Sequence, residues 1–206
     1  ILLSCLEVII LIKAVIFDIG GVTIKDPMKR VYASVGRSIG TSGSAVKRAF
    51  DKLKALIETG KISPTIFWIR LSKIIGGKPN NLEKEWIKTF KTVRLNEGVV
   101  KIIKEVKAKG YKVATLSNTM AVHERYHRKL GHYKIFSRVF LSNRLKMKKP
   151  DVRIYRLVSG KLGVKSQECV FIDDKQRNVI GARKVGMKAI LFKNVGRLKK
   201  DLKKYL

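Results

Sequence analysis

The sequence predicts an α/β protein with a parallel sheet and a helical segment inserted after the first strand. Short apolar runs such as 13–17 and 169–172 end at polar residues, as buried parallel strands do. After residue 96, such runs alternate with helical patterns, which is typical of a parallel sheet. Between the first run and residue 96, the sequence shows helical patterns and no convincing strand.

The elements can be followed along the chain. The first strand, residues 13–17, leads into Asp18 and a turn at Gly20 and Gly21. Within the inserted segment, helices are predicted over 44–58, from Pro64 onward and over 82–90, with a break at 76–80. The later elements are predicted as helix 99–108, strand 111–116, helix 121–130, strand 139–141, helix 151–162, strand 169–172, helix 178–185 and strand 188–192. The tail, residues 197–206, has the pattern of a basic amphipathic helix at the surface.

The composition is that of a globular chain with a strong positive charge. Hydrophobic residues make up 45% of the 206 residues and there are only four prolines, which excludes collagen-like and disordered classes. Lysine and arginine number 46 against 15 acidic residues, a formal net charge of +31. This charge favours anionic partners, namely phosphorylated substrates, nucleic acid or acidic membrane surfaces. Because the lysines are spread along the chain, we interpret them mainly as a solvated surface.

The cysteine content and residues 1–12 are informative about the cellular compartment of the protein. Cys5 and Cys169 are too few for a disulfide framework, so a reducing cytoplasm is expected. Residues 1–12 are mostly apolar but too few to cross a bilayer, and they lack the flanks of a signal peptide. They are interpreted either as a non-native extension or as an apolar segment packed on the domain. We expect no membrane span.

Polar groups follow three of the predicted strands. Because the carboxyl ends of parallel strands meet at one edge of a sheet, these groups should converge there. A lysine before a later helix is a candidate to join them. The candidate residues are Asp18, Ser117, Asn118, Lys149, Asp173 and Asp174.

Such a set of side chains is suited to phosphate chemistry. Neighbouring carboxylates repel one another unless a cation lies between them, and Mg²⁺ prefers oxygen ligands. A lysine would offset the charge of a phosphate, while a serine hydroxyl and backbone N–H groups would hold its oxygens. A carboxylate free to attack phosphorus would form an aspartyl-phosphate.

Four segments carry a family resemblance. They are Phe17-Asp-Ile-Gly-Gly-Val22, Leu116-Ser-Asn-Thr119, Lys149-Pro-Asp151 with Ile154-Tyr155, and Phe171-Ile-Asp-Asp174 with Asn178. In order and spacing they resemble the four motifs of the haloacid dehalogenase superfamily. Residues 58–63 followed by Phe67-Trp68 resemble the branch with a small helical cap. That branch includes the phosphatase domain of soluble epoxide hydrolase and bacterial sugar-phosphate phosphatases.

The resemblance implies a domain organisation and an activity. It implies a Rossmann-like core formed by residues 1–25 and 97–206, with a helical cap over 26–96 that selects the substrate. The implied activity is that of a Mg²⁺-dependent phosphatase, which hydrolyses a small phosphorylated metabolite through an aspartyl-phosphate.

The resemblance also implies a role for each site residue. Asp18 would be the nucleophile and a metal ligand, and the backbone carbonyl of Gly20 would bind the metal. Lys149 would orient the nucleophile and the phosphate. Ser117 and Asn118 would bind the phosphoryl group. Asp174 would be the main acidic metal ligand of the fourth motif, with Asp173 beside it.

Gly20 departs from the pattern of most phosphatases in the superfamily. They carry an aspartate there, which protonates the leaving oxygen and later activates water. Its absence should slow hydrolysis, since general acid–base catalysis is typically worth about 10²–10⁴-fold. Dehalogenases and phosphonate-cleaving members also lack this aspartate. Dehalogenases need no metal, so the Asp173–Asp174 pair argues against them, whereas phosphonate cleavage, which requires a lysine in the cap, stays open.

The sequence also allows other functional interpretations. The chain could be a weakly active or inactive relative that binds phosphate groups or nucleic acid through its basic surface. His123 and His127, four residues apart, could bind Zn²⁺ from one helix face, but a packing or solvated role is expected. Trp68 and Trp86 are expected in the cap core. The oligomeric state is not predicted.

Overall fold

The five strands form one parallel sheet. This computed structural model describes residues 11–206, so the expectations for residues 1–10, including Cys5, lie outside the described part. The strands are β1 (Ala14–Phe17), β2 (Lys112–Ser117), β3 (Arg138–Leu141), β4 (Cys169–Asp173) and β5 (Lys188–Leu191). Their order across the sheet is β3-β2-β1-β4-β5, and all four pairings are parallel. The predicted α/β fold is confirmed, with the first strand at the centre.

Four helices separate β1 from the rest of the sheet. They are α1 (Met28–Ser38), α2 (Gly43–Glu58), α3 (Pro64–Ile75) and α4 (Pro79–Phe90). They form the predicted helical cap. Six further helices belong to the core: α5 (Glu97–Ala108), α6 (Ala121–Lys129), α7 (Ser142–Leu145), α8 (Val152–Lys161), α9 (Gln176–Arg183) and α10 (Val195–Leu202).

The central strand is buried on both faces. Val15 and Phe17 join an apolar cluster that includes residues of α5, α10 and the cap. Ala14 and Ile16 point the other way, into a cluster with α8 and α9. All four side chains are inaccessible to solvent, which explains why the strand is a continuous apolar run rather than an alternating one.

The cap has its own aromatic core. Tyr32, Phe50, Phe67, Trp68 and Trp86 lie with ring centroids 4.7 to 6.2 Å apart. Such clusters bury a large apolar area from few residues. The two tryptophans are therefore packing residues of the cap rather than parts of an open substrate cage.

The cap helices begin where local chemistry allows. The hydroxyl of Ser63 accepts a hydrogen bond from the N–H of Ile66, and Pro64 occupies the first helical position. The following helix begins at Pro79, although the sequence predicts a break over 76–80 and a start at residue 82. The break is shorter than expected because a proline in the first turn loses no helical hydrogen bond.

The last helix packs on the core. It ends at Leu202, earlier than the predicted 206, and Leu198 and Leu202 are buried beside α5. Within residues 11–206, the helices are all too short or too polar to cross a membrane.

Packing of α3 against the cap core should contribute strongly to stability. Leu71 is fully buried and Ile74, three residues later, is 45% exposed. We expect Leu71→Ala to lower the free energy of unfolding by about 2–5 kcal/mol because it leaves a cavity. Ile74→Ala should change it by less than about 0.5 kcal/mol. Urea unfolding followed by circular dichroism checks this, and equal losses for the two variants would contradict the packing described.

Candidate active site

Three adjacent strands end at the candidate site. Phe17 lies opposite Thr115 of β2 and Ile172 of β4. Asp18, the next residue, therefore lies at the same edge as Ser117 and Asp173. Carboxylate oxygens of Asp18, Asp173 and Asp174 all lie within 4.8 Å of one another. Residues more than 150 positions apart are thus brought together by the parallel register.

Asp18 is held so that one carboxylate oxygen stays available. Its side chain is buried, and Oδ1 accepts a hydrogen bond from the N–H of Ile19 at 2.7 Å. The same oxygen lies 3.0 Å from Nζ of Lys149. Within the described residues no hydrogen bond reaches Oδ2. The hydroxyl of Thr23 donates to the backbone carbonyl of Asp18 at 2.7 Å, which fixes the turn.

Lys149 is a buried cation shared by two carboxylates. Its side chain is 1% exposed, and Nζ lies 2.6 Å from Oδ2 of Asp173 as well as near Asp18. Nζ also donates to the carbonyl of Leu116 at 2.7 Å. Burial acts to lower the pKa of Lys149, but the two carboxylates raise it above its usual value. The amine therefore stays charged.

The three carboxyl groups differ in their electrostatic environment. Burial raises the pKa of Asp18 to about 7 despite the opposing charge of Lys149, and Asp173 adds to the rise. Burial also acts to raise the pKa of Asp173, but Lys149 and other donors hold it below its usual value. Burial raises the pKa of Asp174. A divalent cation would lower the pKa of both Asp18 and Asp174.

Asp173 and Asp174 are adjacent but have different partners. Both oxygens of Asp173 accept hydrogen bonds from Nδ2 of Asn178, at 2.9 and 3.0 Å, and Oδ2 also binds Lys149. The backbone N–H of Lys175 donates to Oδ1 of Asp173. By contrast, Oδ1 of Asp174 is buried and has no hydrogen-bond partner in the described part of the chain.

The site fits a divalent metal ion. Among residues 11–206, the only cluster of three or more metal-ligating side chains is Asp18, Asp173 and Asp174. Carboxylate oxygens are the ligands that Mg²⁺ prefers, and an unpartnered buried carboxylate oxygen is costly without a cation. Oδ2 of Asp18 and Oδ1 of Asp174 accept no hydrogen bond from residues 11–206, although Nζ of Lys175 lies 4.0 Å from Oδ1 of Asp174.

The two glycines of the first motif leave space for different reasons. Gly21 has φ +82°, and a Cβ there would lie 2.4 Å from Oδ2 of Asp174. Only glycine lets the turn approach this carboxylate. At Gly20 a Cβ would meet nothing within 4 Å, so the position that carries an aspartate in most phosphatases of the superfamily is open space.

Ser117 and Asn118 differ in the hydrogen bonds that their side chains make. Ser117 is the last residue of β2, at the sheet edge where Asp18 and Asp173 lie, and it lines a small cavity there. Its hydroxyl makes no hydrogen bond to the residues described here. The amide of Asn118 donates to the carbonyl of Lys149 and accepts from its N–H, both at 2.9 Å. The Asn118 side chain thus fixes the Lys149 backbone, and its predicted contact with a phosphoryl group stays a prediction.

A small cavity opens between the cap and this edge of the sheet. The core contributes Gly20, Ser117 and Asn118 to its wall, and the cap contributes aromatic and charged side chains. Its volume is about 90 Å³. The cap residues at the wall include Tyr32, Phe50, Lys54, Glu58 and Phe90.

Two of the three histidines, His123 and His127, belong to the aromatic wall of this cavity. The indole N–H of Trp86 donates to Nε2 of His123 at 2.8 Å, and Phe90 stacks on the same imidazole. Nδ1 of His127 lies 3.0 Å from Nδ1 of His132. Burial lowers the pKa of His127 to about 4, so it is neutral at pH 7. The contacts are those of packing residues.

Sequence reasoning missed several residues that build the site. Thr23 holds the Asp18 turn, and the hydroxyl of Ser142 donates to the carbonyl of Glu58 at 2.6 Å. Lys54 and Glu58 reach the cavity from α2. The sequence pattern around these residues does not indicate a site. Their functional contacts are made with parts of the chain that the local pattern does not identify.

Comparison with known proteins decides the family. The model of the haloacid dehalogenase-like hydrolase family matches residues 15–192. The chain belongs to this family. The match runs from within β1 to the residue after β5 and includes helices α1 to α4.

The hydrolase is similar to proteins of several organisms. It is 30% identical to the sesquiterpene phosphatase astK of Aspergillus oryzae over 179 residues, which cover 85% of this chain and 87% of that protein. It is 31% identical to a glyceraldehyde 3-phosphate phosphatase of Methanothermobacter thermautotrophicus, over 42% of this chain and 39% of that protein. A HAD family enzyme of Bacteroides thetaiotaomicron, solved with magnesium and inorganic phosphate, has a similar fold. Its TM-score is 0.70 at 22% identity, over 88% of this chain and 94% of that one.

The contact between Gly21 and Asp174 should control cation binding. We expect Gly21→Ala to weaken Mg²⁺ affinity tenfold or more, since the new methyl group would displace the Asp174 carboxylate. Gly40→Ala is the matched control, with φ +67° and nothing within 4 Å of the added Cβ. Both variants should lose about 1–2 kcal/mol of stability from backbone strain. Isothermal titration with Mg²⁺ separates them, and equal affinities would contradict the role given to Gly21.

Proposed function

We propose that this hydrolase is a Mg²⁺-dependent phosphatase that acts on a small phosphorylated metabolite through an aspartyl-phosphate. One observation carries the proposal: Asp18 has a free carboxylate oxygen, Oδ2, beside a cluster of acidic groups and a buried lysine. These groups at the strand ends support the roles that we assign to them, namely nucleophile, cation ligand and compensating positive charge.

The metal would be held by part of the acidic cluster. Asp18, Asp174 and the backbone carbonyl of Gly20 are the ligands that we assign to Mg²⁺. Bound there, the ion would offset the negative charge of the phosphoryl oxygens. The sequence also suggests Asp173 as a ligand, but its oxygens are bonded to Lys149 and Asn178. We assign Asp173 to holding Lys149 in place.

The remaining residues perform two successive displacements at phosphorus. Oδ2 of Asp18 attacks the phosphorus, the bond to the alcohol oxygen breaks, and the alcohol takes a proton from water. A water molecule then attacks the phosphorus of the aspartyl-phosphate and releases inorganic phosphate and the Asp18 carboxylate. The Ser117 hydroxyl would donate a hydrogen bond to a phosphoryl oxygen in both steps. The three N–H bonds of Lys149 already point to Asp18, Asp173 and the carbonyl of Leu116, so this residue would stabilise the phosphoryl oxygens through its positive charge.

The size of the cavity supports a small phosphate ester as the substrate. A cavity of about 90 Å³ suits a phosphoryl group and a short alcohol, because pockets for larger ligands typically exceed about 300 Å³. Among the similar proteins, one is named as a phosphatase of glyceraldehyde 3-phosphate, which is such a small ester, whereas another is named for a sesquiterpene, which is larger and apolar. Helices α1 to α4 form the cap wall, so we assign substrate selection to residues 26–96 and chemistry to residues 1–25 and 97–206.

The alternative is a weakly active or inactive relative that binds phosphate groups or nucleic acid through its surface. Gly20 and the net charge of +31 favour it. It differs from the proposal in one respect that can be measured. Binding through the surface would be salt-sensitive and independent of Asp18.

Loss of the nucleophile should abolish turnover. We expect Asp18→Asn to reduce hydrolysis of p-nitrophenyl phosphate by at least about 10³-fold, because the amide is not a nucleophile. EDTA should abolish the wild-type activity and added Mg²⁺ should restore it. Release of p-nitrophenol is the measurement. No turnover on any phosphate ester, together with nucleic-acid binding that survives Asp18→Asn, would favour the alternative.

The open space at Gly20 allows a gain-of-activity test. We expect Gly20→Asp to raise kcat by about 10- to 100-fold, since the new carboxyl group can donate a proton to the leaving alcohol. No steric clash opposes it, because nothing lies within 4 Å of the added Cβ.

Gly160→Asp on α8 is the matched control for the added charge, since it too has open space around it. Its kcat should equal that of the wild type. If a folded Gly20→Asp variant had an unchanged or lower kcat, a missing proton donor would not be what limits the rate.

A further inference from the structure

Lys54 is a half-buried amine at the cavity wall without a partner. It lies on α2 of the cap and lines the same cavity as Ser117 and Gly20. Within the described part of the chain, no hydrogen bond or ion pair reaches its Nζ. Three other lysines lie near the site, and each has an acidic partner: Lys149 has two carboxylates, Lys148 has Glu58, and Lys175, at the same cavity wall, lies 4.0 Å from Oδ1 of Asp174.

No nearby carboxylate forms an ion pair with the Lys54 amine within the described residues. Its Nζ lies 5.7 Å from the centre of the Phe50 ring. Burial lowers the pKa of Lys54, the nearby charge of Glu58 opposes this, and Lys175 adds to the lowering. The Glu58 carboxylate is bound to Lys148. Asp26, also at the cavity wall, accepts a hydrogen bond from the N–H of Met28.

An unpaired ammonium in a partly dry cavity is costly, and an anionic ligand would offset that cost. The transferred phosphoryl group already has partners at the strand ends, namely Lys149, Ser117 and the cation site. Lys54 comes from the opposite wall, which belongs to the cap. A second anionic group, on the alcohol part of the substrate, is therefore the ligand that its position suits.

We propose that Lys54 determines specificity by binding this second anionic group, so that the preferred substrates are phosphate monoesters whose alcohol carries a carboxylate or another phosphate. The inference rests on the proposed phosphatase function and specifies its substrate class. Tyr32, Phe50 and Phe90 at the same wall would contact the short carbon chain between the two anions.

Two esters with the same two-carbon skeleton test the proposal. In 2-phosphoglycolate the alcohol carries a carboxylate, whereas in ethyl phosphate it carries a methyl group. We expect Lys54→Met to lower kcat/KM for 2-phosphoglycolate by about 10- to 100-fold more than for ethyl phosphate, as loss of a charged hydrogen bond does. Because each variant is compared with wild type on the same ester, differences in leaving-group chemistry cancel.

Two control variants complete the test. Lys54→Arg keeps the charge and should retain most of the preference for 2-phosphoglycolate. Lys52→Met removes an exposed lysine from the same helix and should leave both kcat/KM values unchanged.

The outcomes separate this inference from the proposed function. Equal losses on both esters for Lys54→Met, or no loss on either, would overturn the inference while p-nitrophenyl phosphate hydrolysis upholds the phosphatase function. Absence of hydrolysis of all three esters would overturn both. Borohydride trapping of Lys54 on phosphonoacetaldehyde, with release of phosphate, would also overturn the inference, since the amine would then act as a nucleophile.

Discussion

The candidate site depends on one buried cation, the amine of Lys149. It lies between Asp18 and Asp173 and also donates to the carbonyl of Leu116. Burying an ammonium costs several kcal/mol unless it is paired, and two close carboxylates repel one another without a positive charge between them. The burial of Lys149 therefore depends on Asp18 and Asp173, and the close approach of these two carboxylates depends on Lys149. Asn118 fixes the backbone of Lys149. The Lys149 amine in turn contacts Oδ1 of Asp18, which leaves Oδ2 of Asp18 without a hydrogen bond from the described residues.

The cap is joined to the core next to this network. The hydroxyl of Ser142 donates to the carbonyl of Glu58 and accepts from the N–H of Thr119 at 2.9 Å. The Glu58 carboxylate binds Lys148, which precedes Lys149 in the chain. Glu58, a cap residue at the cavity wall, is thus bound to the residue that directly precedes Lys149. The junction between cap and core and the positioning of the candidate site share these contacts, so a change at Glu58 would affect both.

The sequence predicted the structural elements that depend on interactions between neighbouring residues. A continuous apolar run ending in a polar residue identifies a buried parallel strand, so β1, β2 and β4 and their terminal residues Asp18, Ser117 and Asp173 could be placed in advance. The serine and proline at the start of α3 likewise marked its first turn. The start of α4 was placed three residues late, because proline both breaks a helix and begins one, and the choice depends on packing of the segment that follows.

The sequence by itself determined which side chains stand at the strand ends and that the cap follows β1, because both depend on patterns of neighbouring residues. Tertiary structure alone decided their partners. It directed the Asn118 amide to the Lys149 backbone, gave Asp173 and Asp174 different neighbours, and singled out Lys54 among the lysines of the cap. These contacts join segments tens of residues apart, and only the packing of helices against the sheet fixes which of many similar side chains meet.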